Sequence, residues 1–170
     1  TEAIIDALFP GNPLLCCGWS AERFDTRPRE NWHGELANMQ FVVPSPMSKI
    51  EGTTQDGHAS RHCLDNTAPR RFLVFEFDSG SVDQHAARLL WFAERAPLAL
   101  VVHSGGKSLH GWFYCQGQDE AKLRRAMRKA VSIGADPATW TRSQFVRMPD
   151  GTRENGRRQT VYYFNPGVIR

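Results

Sequence analysis

Two carboxylates stand inside an apolar run of strand length, in the segment RFLVFEFDSG at residues 71–80. Glu76 and Asp78 are two residues apart, so in a β-strand their side chains project from the same face. Two ionised carboxylates held side by side repel each other unless a proton or a cation joins them, and burying either without a partner is costly. Hard oxygen ligands of this kind suit Mg²⁺ or Mn²⁺. The segment therefore predicts a metal site, with salt bridges to Arg70, Arg71 or a similar base as the structural alternative.

A second segment, HSGGKSLHGWF at residues 103–113, combines a glycine turn with polar side chains. The backbone N–H groups of such a turn can bind an anion, and the side chains of Ser104, Lys107 and Ser108 add donors. The ending Gly-Lys-Ser resembles a P-loop, but Val101 stands where the first glycine is required and the segment leads into a strand. If the strand that carries the two acids and the strand that carries His110 run antiparallel, His110 approaches the acid pair. The segment predicts a triphosphate-binding turn, with a plain hairpin as the alternative.

A two-metal site needs a third acid, and the candidates are Asp136 and Asp150. Asp136 follows a predicted helix end at a fixed exit from the core, although its ordinary role there would be to cap Pro137–Ala138. Asp150 begins DGTRENGRR, a charged, glycine-containing loop expected to be mobile. Asp136 is therefore the predicted metal ligand.

Arg147 is expected on a strand beside the same face. Its planar guanidinium suits phosphate oxygens, with a surface ion pair as the alternative.

Hydrophobic periodicity predicts the elements that hold these residues. In the second half of the chain we expect strands at 71–78, 98–104, 109–115 and 143–149, helices at 82–95 and 118–133, and a final strand at 159–165. The order β-α-β-β-α-β is typical of ferredoxin-like and RNA-recognition folds, in which the first strand lies centrally beside the third. Both helices would cover one sheet face and leave the other open for a site, unless the N-terminal region packs over part of it.

The first 69 residues are harder to interpret. Short strands are predicted at 13–20 and 39–46, a helix between them in RPRENWHGELANM, and a polar loop at 48–60. The resulting fold class is α+β with two lobes: an N-terminal α/β unit (1–69) and a C-terminal RRM-like βαββαβ unit (70–170). The active site would lie in the cleft on the open sheet face. We expect residues 1–170 to be a single catalytic domain, part of a longer protein or of a replication complex.

Composition limits the function classes. The chain has 170 residues, 41% hydrophobic and 23% charged, which is typical of a globular domain. No membrane span or secretory signal is evident, and four cysteines without CxxC spacing favour a reducing, cytoplasmic location. Residues 1–121 carry 10 Lys/Arg and 15 Asp/Glu, a net of −5, whereas residues 122–158 carry 10 and 3, a net of +7. The basic segment indicates a phosphate-bearing partner or a solvated helix face.

Taken in order, these segments resemble a known family. The set is VFEFD, SGGKSLHGWF, an Asp at position 136, 26 residues after His110, and FVRMPDGTR. It is similar to the archaeo-eukaryotic primase (AEP) superfamily, and within it to the primase-polymerases of plasmids, phages and mobile elements. The resemblance covers residues 70–166. Glu76 departs from the family pattern, because an Asp is usual at the first acidic position.

The resemblance implies template-directed nucleotidyl transfer on single-stranded DNA, by primer synthesis, primer extension or both. Two Mg²⁺ or Mn²⁺ ions would lie between Glu76, Asp78 and Asp136, and these three acids would be the catalytic residues together with His110. The incoming nucleoside triphosphate would be bound by Ser104, Gly106, Lys107, His110 and Arg147. Partners would be the DNA template and primer and a replicative helicase domain or subunit, and no membrane.

Two alternatives share the predicted fold. A rolling-circle replication nuclease also places a metal on a sheet face, but it needs a close pair of histidines and a nucleophilic tyrosine. Here His103 and His110 fall on different strands, and Tyr162–Tyr163 in VYYF more simply indicate strand core. A non-catalytic RNA-recognition module needs exposed aromatic residues on its central strands. Trp112 and Tyr114 could serve, but such a module has no use for the acid pair.

A zinc site is a further possibility that the sequence raises. His58, His62 and Cys63 carry the ligand types that zinc prefers, within six residues of one another. They lack a partner pair of suitable spacing elsewhere in the chain. The sequence leaves their role open.

Overall fold

The structure is a computed structural model that describes residues 1–169. Its elements, in chain order, are α1 (Glu2–Leu8), β1 (Leu14–Gly18), β2 (Phe24–Pro28), β3 (Phe41–Val42), β4 (Gly52–Thr53), β5 (Ala59–Ser60), β6 (Phe72–Phe77), α2 (Val82–Ala93), β7 (Leu98–His103), β8 (Leu109–Tyr114), α3 (Glu120–Ser132), β9 (Val146–Arg147) and β10 (Val161–Phe164). All strand pairs between these elements are antiparallel. The expected mixture of helices with antiparallel sheets is confirmed.

The order β6-α2-β7-β8-α3 agrees with the sequence-based prediction for residues 71–133. Helix α2 begins at a capping box, in which the Ser81 hydroxyl accepts from the Gln84 N–H and the Gln84 side chain accepts from the Ser81 N–H. Helix α3 begins at Asp119, whose carboxylate accepts from the Ala121 N–H. It ends before Gly134, which has a φ of +99°, a value that glycine adopts without strain.

The first strand of this unit does not lie centrally, contrary to the prediction. The sheet has the order β10-β7-β8-β6, so β6 is beside β8 but at an edge. On its free side β6 forms only one bridge, between Phe77 and Ala135. The chain leaves β6 there because Pro137 has no N–H to continue a ladder and instead opens a 3₁₀-helix at Pro137–Trp140.

The predicted strand at 143–149 belongs to the other sheet. Strand β9 pairs with β3, with Phe41 opposite Arg147 and Val42 opposite Val146, and completes a sheet of order β2-β1-β3-β9. The second sheet gains its fourth strand from β10 instead. The first sheet therefore contains residues from both sides of position 69/70.

Strand β6 alternates between two hydrophobic clusters, as a buried strand should. Leu73, Phe75 and Phe77 pack with residues of α2 and α3. Phe72 and Val74 face the other way and pack with residues of the first sheet. The sheet face expected to be open is thus largely covered by the N-terminal region. The covering stops near the end of β6, where the Glu76 side chain retains 23% exposure.

The N-terminal predictions were only partly right. The strand at 13–20 is confirmed as β1, and the strand at 39–46 shrinks to β3, which has two residues. The predicted helix is wrong: β2 runs to Pro28, and two 3₁₀-helices follow, at Arg29–Trp32 and Leu36–Asn38. Gly34, with a φ of +82°, separates them, because a left-handed residue interrupts α-helical bonding. The loop at 48–60 contains the small β4–β5 hairpin, and α1 was not predicted.

Two absences concern residues 1–169. None of the helices in this range combines the length and the apolarity that a bilayer crossing requires. The four cysteines are all free thiols.

Candidate functional site

Glu76 and His110 face each other across the β6–β8 ladder, as the antiparallel pairing predicted. The Nε2 atom of His110 lies 3.4 Å from Oε1 of Glu76, with side-chain exposures of 2% and 23%. Within residues 1–169, neither ring nitrogen of His110 has a hydrogen-bond partner. A buried imidazole with two unsatisfied nitrogens is unusual, and it marks this place as one where a bound group could complete the bonding.

The pKa of Glu76 is raised to about 6. Burial is the largest cause, and the negative charge of Asp136 follows it; Asp78 adds a smaller effect in the same direction. The positive charge of Arg147 and a hydrogen bond with the Ser108 side chain oppose the shift. The three acids named from the sequence therefore act on one another electrostatically.

Asp136 and Asp78 flank Glu76 in different ways. The backbone N–H of Asp136 donates to the Glu76 carbonyl at 2.9 Å. Its carboxylate accepts from the Ala138 N–H at 2.9 Å, so it caps the 3₁₀-helix, the ordinary role that the sequence also suggested. Asp78 follows the last residue of β6 and is exposed. Asp136 is thus fixed beside the strand end by two backbone contacts, whereas Asp78 is held only by its neighbours in sequence.

Asp150 contacts one residue of the loop that it begins and one residue of β10. Its carboxylate lies 3.4 Å from the Arg158 guanidinium and accepts from the Val161 N–H at 3.4 Å. The backbone is left-handed at this residue, with a φ of +54°. Asp150 does not contribute to the pKa shift of Glu76. It organises the loop that follows β9 and does not join the acid group.

The acids supply the donor chemistry that a divalent metal requires, but they do not converge. Within residues 1–169, no group of three His, Cys, Asp or Glu side chains is placed to hold a metal ion. The repulsion that raises the pKa of Glu76 is the kind that a divalent cation relieves, so the acid group fits a metal chemically.

The residues considered for zinc are otherwise engaged. His62 bonds through Nε2 to the Ser143 carbonyl at 2.6 Å and stacks on Phe145 with ring centroids 3.9 Å apart. Cys63 contacts the Asn66 amide through both its N–H and its thiol. His58 is exposed at the turn between β4 and β5.

The glycine turn is closed by its own side chains. The Ser104 hydroxyl accepts from the N–H groups of Gly106 (3.3 Å) and Ser108 (3.1 Å), and His103 Nδ1 accepts from the Gly105 N–H at 3.3 Å. These backbone donors, which the sequence suggested for an anion, are thus occupied within the turn. The side chain of Lys107 is exposed at the tip and remains as a cation.

Arg153 was missed by sequence reasoning. Its Nη1 donates to the Ser104 carbonyl at 3.2 Å, and a Cβ built on Gly106 would lie 3.0 Å from the same atom. The guanidinium therefore lies against the glycine turn. The sequence signal was present in DGTR after the final Arg-Met-Pro, but nothing in it showed that this loop folds back on a turn 49 positions earlier.

Arg147 reaches the site from the first sheet. Its Nη1 donates to the side-chain oxygens of Gln40 (3.0 Å) and Gln159 (3.5 Å), and its guanidinium lies 4.7 Å from the Phe41 ring centre. Burial and the charge of Arg153 lower its pKa, which the charge of Glu76 partly restores. The two glutamines that orient Arg147 carried no recognisable sequence signal.

Burial and, after it, the surrounding positive charges keep His110 uncharged. Its pKa is lowered to about 3, first by burial and then by Arg147, His103 and Arg153. At neutral pH the imidazole is therefore uncharged, with one N–H donor and one acceptor nitrogen. It lies between an acidic side, formed at the end of β6, and a basic side, formed by Arg147, Arg153 and the glycine turn.

The structure also shows the aromatic residues on which the two alternative functions would depend. Trp112 is fully buried in the cluster shared with the first sheet, so it offers no stacking surface for RNA. Tyr162 and Tyr163 are 57% and 44% exposed, which corrects their interpretation as strand core. A cavity of about 720 Å³ lies between α2 and α3 over the helix-covered face, with Phe75, Phe92 and Phe113 among its lining. Charge, and not cavity volume, thus distinguishes the candidate site.

The fold matches one solved structure at high significance. No family model matches the chain, and no curated protein sequence matches it. The solved structure is the AEP domain of the primase-polymerase of cyanophage S-2L, with a TM-score of 0.60 and 15% sequence identity. The alignment covers 98% of this chain and 94% of that one. The protein therefore has the fold of an AEP domain, and because both coverages are high, the likeness includes the first sheet as well as the second.

Proposed function

We propose that the protein is a primase-polymerase that carries out template-directed nucleotidyl transfer on single-stranded DNA. The observation that carries the proposal is the arrangement around Glu76. An acid whose pKa is raised by burial and by the charges of Asp136 and Asp78 faces a neutral, unsatisfied His110, with Arg147 and Arg153 beyond it. The AEP fold supports the same function by analogy.

Glu76, Asp78 and Asp136 are the proposed ligands of two Mg²⁺ or Mn²⁺ ions. When bound, such ions lower the pKa of an attacking hydroxyl and neutralise a leaving pyrophosphate. The chain's own contribution is to hold Asp136 and Asp78 close enough to Glu76 that their charges disfavour its ionisation. Asp136 is held beside the end of β6, because its carboxylate caps the 3₁₀-helix at Pro137–Trp140.

The basic side is proposed to bind the triphosphate of the incoming nucleotide. Arg147 and Arg153 have fixed guanidinium groups, and Lys107 is free at the tip of the turn. His110 would donate one N–H to the nucleotide, since its lowered pKa keeps it uncharged. Ser104 supports this surface by closing the turn that presents Lys107. A helicase domain or subunit remains a proposed partner.

A nuclease of the rolling-circle type stays a second candidate, because Tyr162 is exposed beside His103. Such an enzyme forms a covalent bond between a tyrosine oxygen and a DNA phosphate while a 3′-hydroxyl leaves. Incubation with labelled single-stranded DNA and Mn²⁺ would reveal it as a labelled protein band under denaturing conditions. The primase-polymerase instead predicts lengthened DNA and no labelled protein.

The decisive experiment is nucleotide incorporation. The protein is incubated with single-stranded DNA, labelled nucleotides and Mg²⁺ or Mn²⁺, with and without a primer. We expect incorporation by the wild-type chain and its loss in Glu76→Ala and Asp78→Ala, with unchanged circular dichroism. Asp83→Ala, which alters a carboxylate in the first turn of α2, is the matched control. Incorporation near the wild-type level in either of the first two variants would contradict the proposed site.

A further inference from the structure

Tyr162 occupies an irregular position in the edge strand of the second sheet. Val161 pairs with Val102 and Tyr163 pairs with Val101, so Tyr162 is the extra residue of a β-bulge in β10. Bulges redirect a side chain out of the ladder and are frequent next to functional sites. The ring of Tyr162 is 57% exposed, although a tyrosine in a strand usually packs on neighbours.

The exposed ring is held in a fixed orientation. It stacks on the His103 imidazole, with centroids 5.3 Å apart and planes inclined by 9°. The His103 ring is itself oriented, because its Nδ1 accepts from the Gly105 N–H at 3.3 Å, and the backbone N–H of His103 donates to the Thr160 carbonyl at 2.8 Å. One face of Tyr162 is thus covered by a flat polar ring, and the side chain has little rotational freedom left to lose on binding.

Positive charges adjoin this aromatic pair. The loop before β10 packs on the glycine turn, where a Cβ on Gly105 would lie 3.4 Å from the Arg157 Cβ and 2.8 Å from the Arg158 carbonyl oxygen. Arg158 is paired with Asp150. Within residues 1–169, neither Arg157 nor Lys107 forms an ion pair, so both can bind phosphate. Glu154 is the one carboxylate between Asp150 and Tyr162.

We propose that Tyr162, stacked on His103, is a base-stacking platform for single-stranded nucleic acid, with Arg157 as its phosphate contact. This assignment rests on the proposed function and deepens it by naming the path of the single strand next to the site. Aromatic stacking combined with a positively charged surface is how proteins bind single strands without sequence preference. Every base has a π-face, so any template sequence can use the platform.

The surface is continuous with the candidate site. His103 joins Tyr162 to the glycine turn, and the charges of His103 and Arg153 both act on His110. A strand that stacks on Tyr162 would therefore lie close to the triphosphate-binding side. Tyr163, one residue along, has a different setting: it is part of the ladder, and its hydroxyl accepts from the Asn165 amide at 3.4 Å.

Tyr163 makes a matched control for the test. Binding of a fluorescently labelled 20-nucleotide oligo(dT) is measured by anisotropy at low salt, with EDTA and without nucleotides. We expect Tyr162→Ala to weaken binding roughly 5- to 150-fold, the range for loss of one stacked base. Tyr162→Phe, which keeps the ring, and Tyr163→Ala should bind like the wild type. Thermal melting of each variant checks that the fold is retained.

Two further measurements separate stacking from charge. An oligonucleotide containing 2-aminopurine should be quenched by the wild type and by Tyr162→Phe, but less by Tyr162→Ala. Arg157→Ala should reduce the salt dependence of binding by about one phosphate contact, whereas Arg128→Ala, on the exposed side of α3, should not. A duplex of the same length should compete poorly, because its bases are already stacked.

The outcomes are distinguishable from those of the proposed function. Equal binding by wild type and Tyr162→Ala, equal losses in Tyr162→Ala and Tyr163→Ala, or equal competition by duplex would overturn the platform while leaving the incorporation assay unaffected. Absence of incorporation by the wild type, with oligo(dT) binding that still depends on Tyr162, would overturn the polymerase and leave a single-strand binding surface.

Discussion

Glu76 and His110 face each other with pKa shifts in opposite directions. Burial raises the pKa of the carboxyl to about 6 and lowers that of the imidazole to about 3. Near neutral pH the pair consists of an ionised acid and an uncharged base, and no ion pair holds them together. The native state therefore carries an electrostatic cost at Glu76 in the absence of metal.

Replacing this carboxylate by its amide should stabilise the metal-free protein. The native state binds the Glu76 proton more tightly than the unfolded chain does, since the pKa is about 6 against an ordinary 4.5. The cost of ionisation is absent below pH 4.5, grows as the pH rises through 6, and reaches about 2 kcal/mol above that. Glu76→Gln should thus unfold at higher urea concentration than wild type at pH 7.5 with a chelator, and at a similar concentration at pH 4.5.

Metal should reverse the order of the two proteins. The lowered pKa of His110 makes the native state less stable as the pH falls below 6.5. This loss is the same in both proteins, so it does not change the difference between their stabilities to first order. With Mn²⁺ at pH 7.5, the unfolding midpoint of wild type should rise and that of Glu76→Gln should stay. If Glu76→Gln is less stable than wild type in chelator at pH 7.5, Glu76 has a stabilising partner in the native state, contrary to this prediction.

The third acid can be identified by comparing Asp136→Asn with Asp150→Asn. Asparagine retains a capping oxygen at position 136 and tolerates the left-handed backbone at position 150, so both variants should fold. We expect Asp136→Asn to lose incorporation or to need far more Mn²⁺, because Asp136 is the second-largest cause of the raised pKa of Glu76, after burial. Asp150→Asn should behave nearly as wild type across the titration. The reverse result would move the third ligand to the loop after β9.

For individual residues, the sequence could predict the positions that follow from the regular geometry of strands and turns. Alternation along β6 and a short hairpin were enough to bring His110 opposite Glu76. Arg153 could not be found this way, because its position depends on a loop folding on a distant turn. The closing of that turn by Ser104 also escaped prediction, since a hydroxyl that accepts from the backbone looks the same in sequence as one that binds a ligand.

At the level of elements, α2 and the second sheet meet at a glycine. A Cβ on Gly111 of β8 would run into the Leu89 side chain of α2. Gly111→Ala should therefore destabilise the fold by about 1–3 kcal/mol through overpacking. Leu89→Ala should cost about 2–5 kcal/mol through a cavity.

The double variant tests whether this contact is the cause. Gly111→Ala combined with Leu89→Ala should cost less than the sum, because the new methyl group fills part of the space that leucine leaves. Leu90→Ala, at a 63% exposed neighbour, should change the unfolding free energy little. Strict additivity in urea unfolding would indicate that α2 shifts to accommodate the methyl group.

The elements that were predicted well are those with a long regular period. Helices α2 and α3 repeat apolar residues over three turns and carry caps, and β6 to β8 each have six residues. Strands β3 and β9 have two residues each, too few to show a period. The bulge at Tyr162 breaks the alternation that the strand-core interpretation assumed.

For the whole molecule, the two sheets share one hydrophobic cluster. It joins Leu15 and Trp32 from the first 69 residues to Val74 and Trp112 of the second sheet and to Val146 of β9. Each sheet would expose much of this cluster if the other were lost. The sequence could not show this, because it predicted the second face of the sheet to be open.

We expect the protein to unfold in one transition. Tryptophan fluorescence and far-ultraviolet circular dichroism should give the same urea midpoint, because Trp32 and Trp112 report on the shared cluster. Val146→Ala, at a fully packed position of β9, should lower both midpoints together. Val131→Ala, at a 37% exposed position, serves as the control. Midpoints that separate in Val146→Ala would show that the first sheet can melt alone.

The return of β9 to the first sheet also has a consequence for biosynthesis. Strand β3 pairs with β9 over 100 residues later in the chain, and the side chain of Gln159 donates to the backbone of Gln40 across 119 positions. At the usual rate of translation, β3 waits roughly 5–20 s for its second neighbour after it leaves the ribosome. During that interval one edge of the nascent sheet is open to strands of other chains, so crowded polysomes are where this fold is most exposed to mispairing.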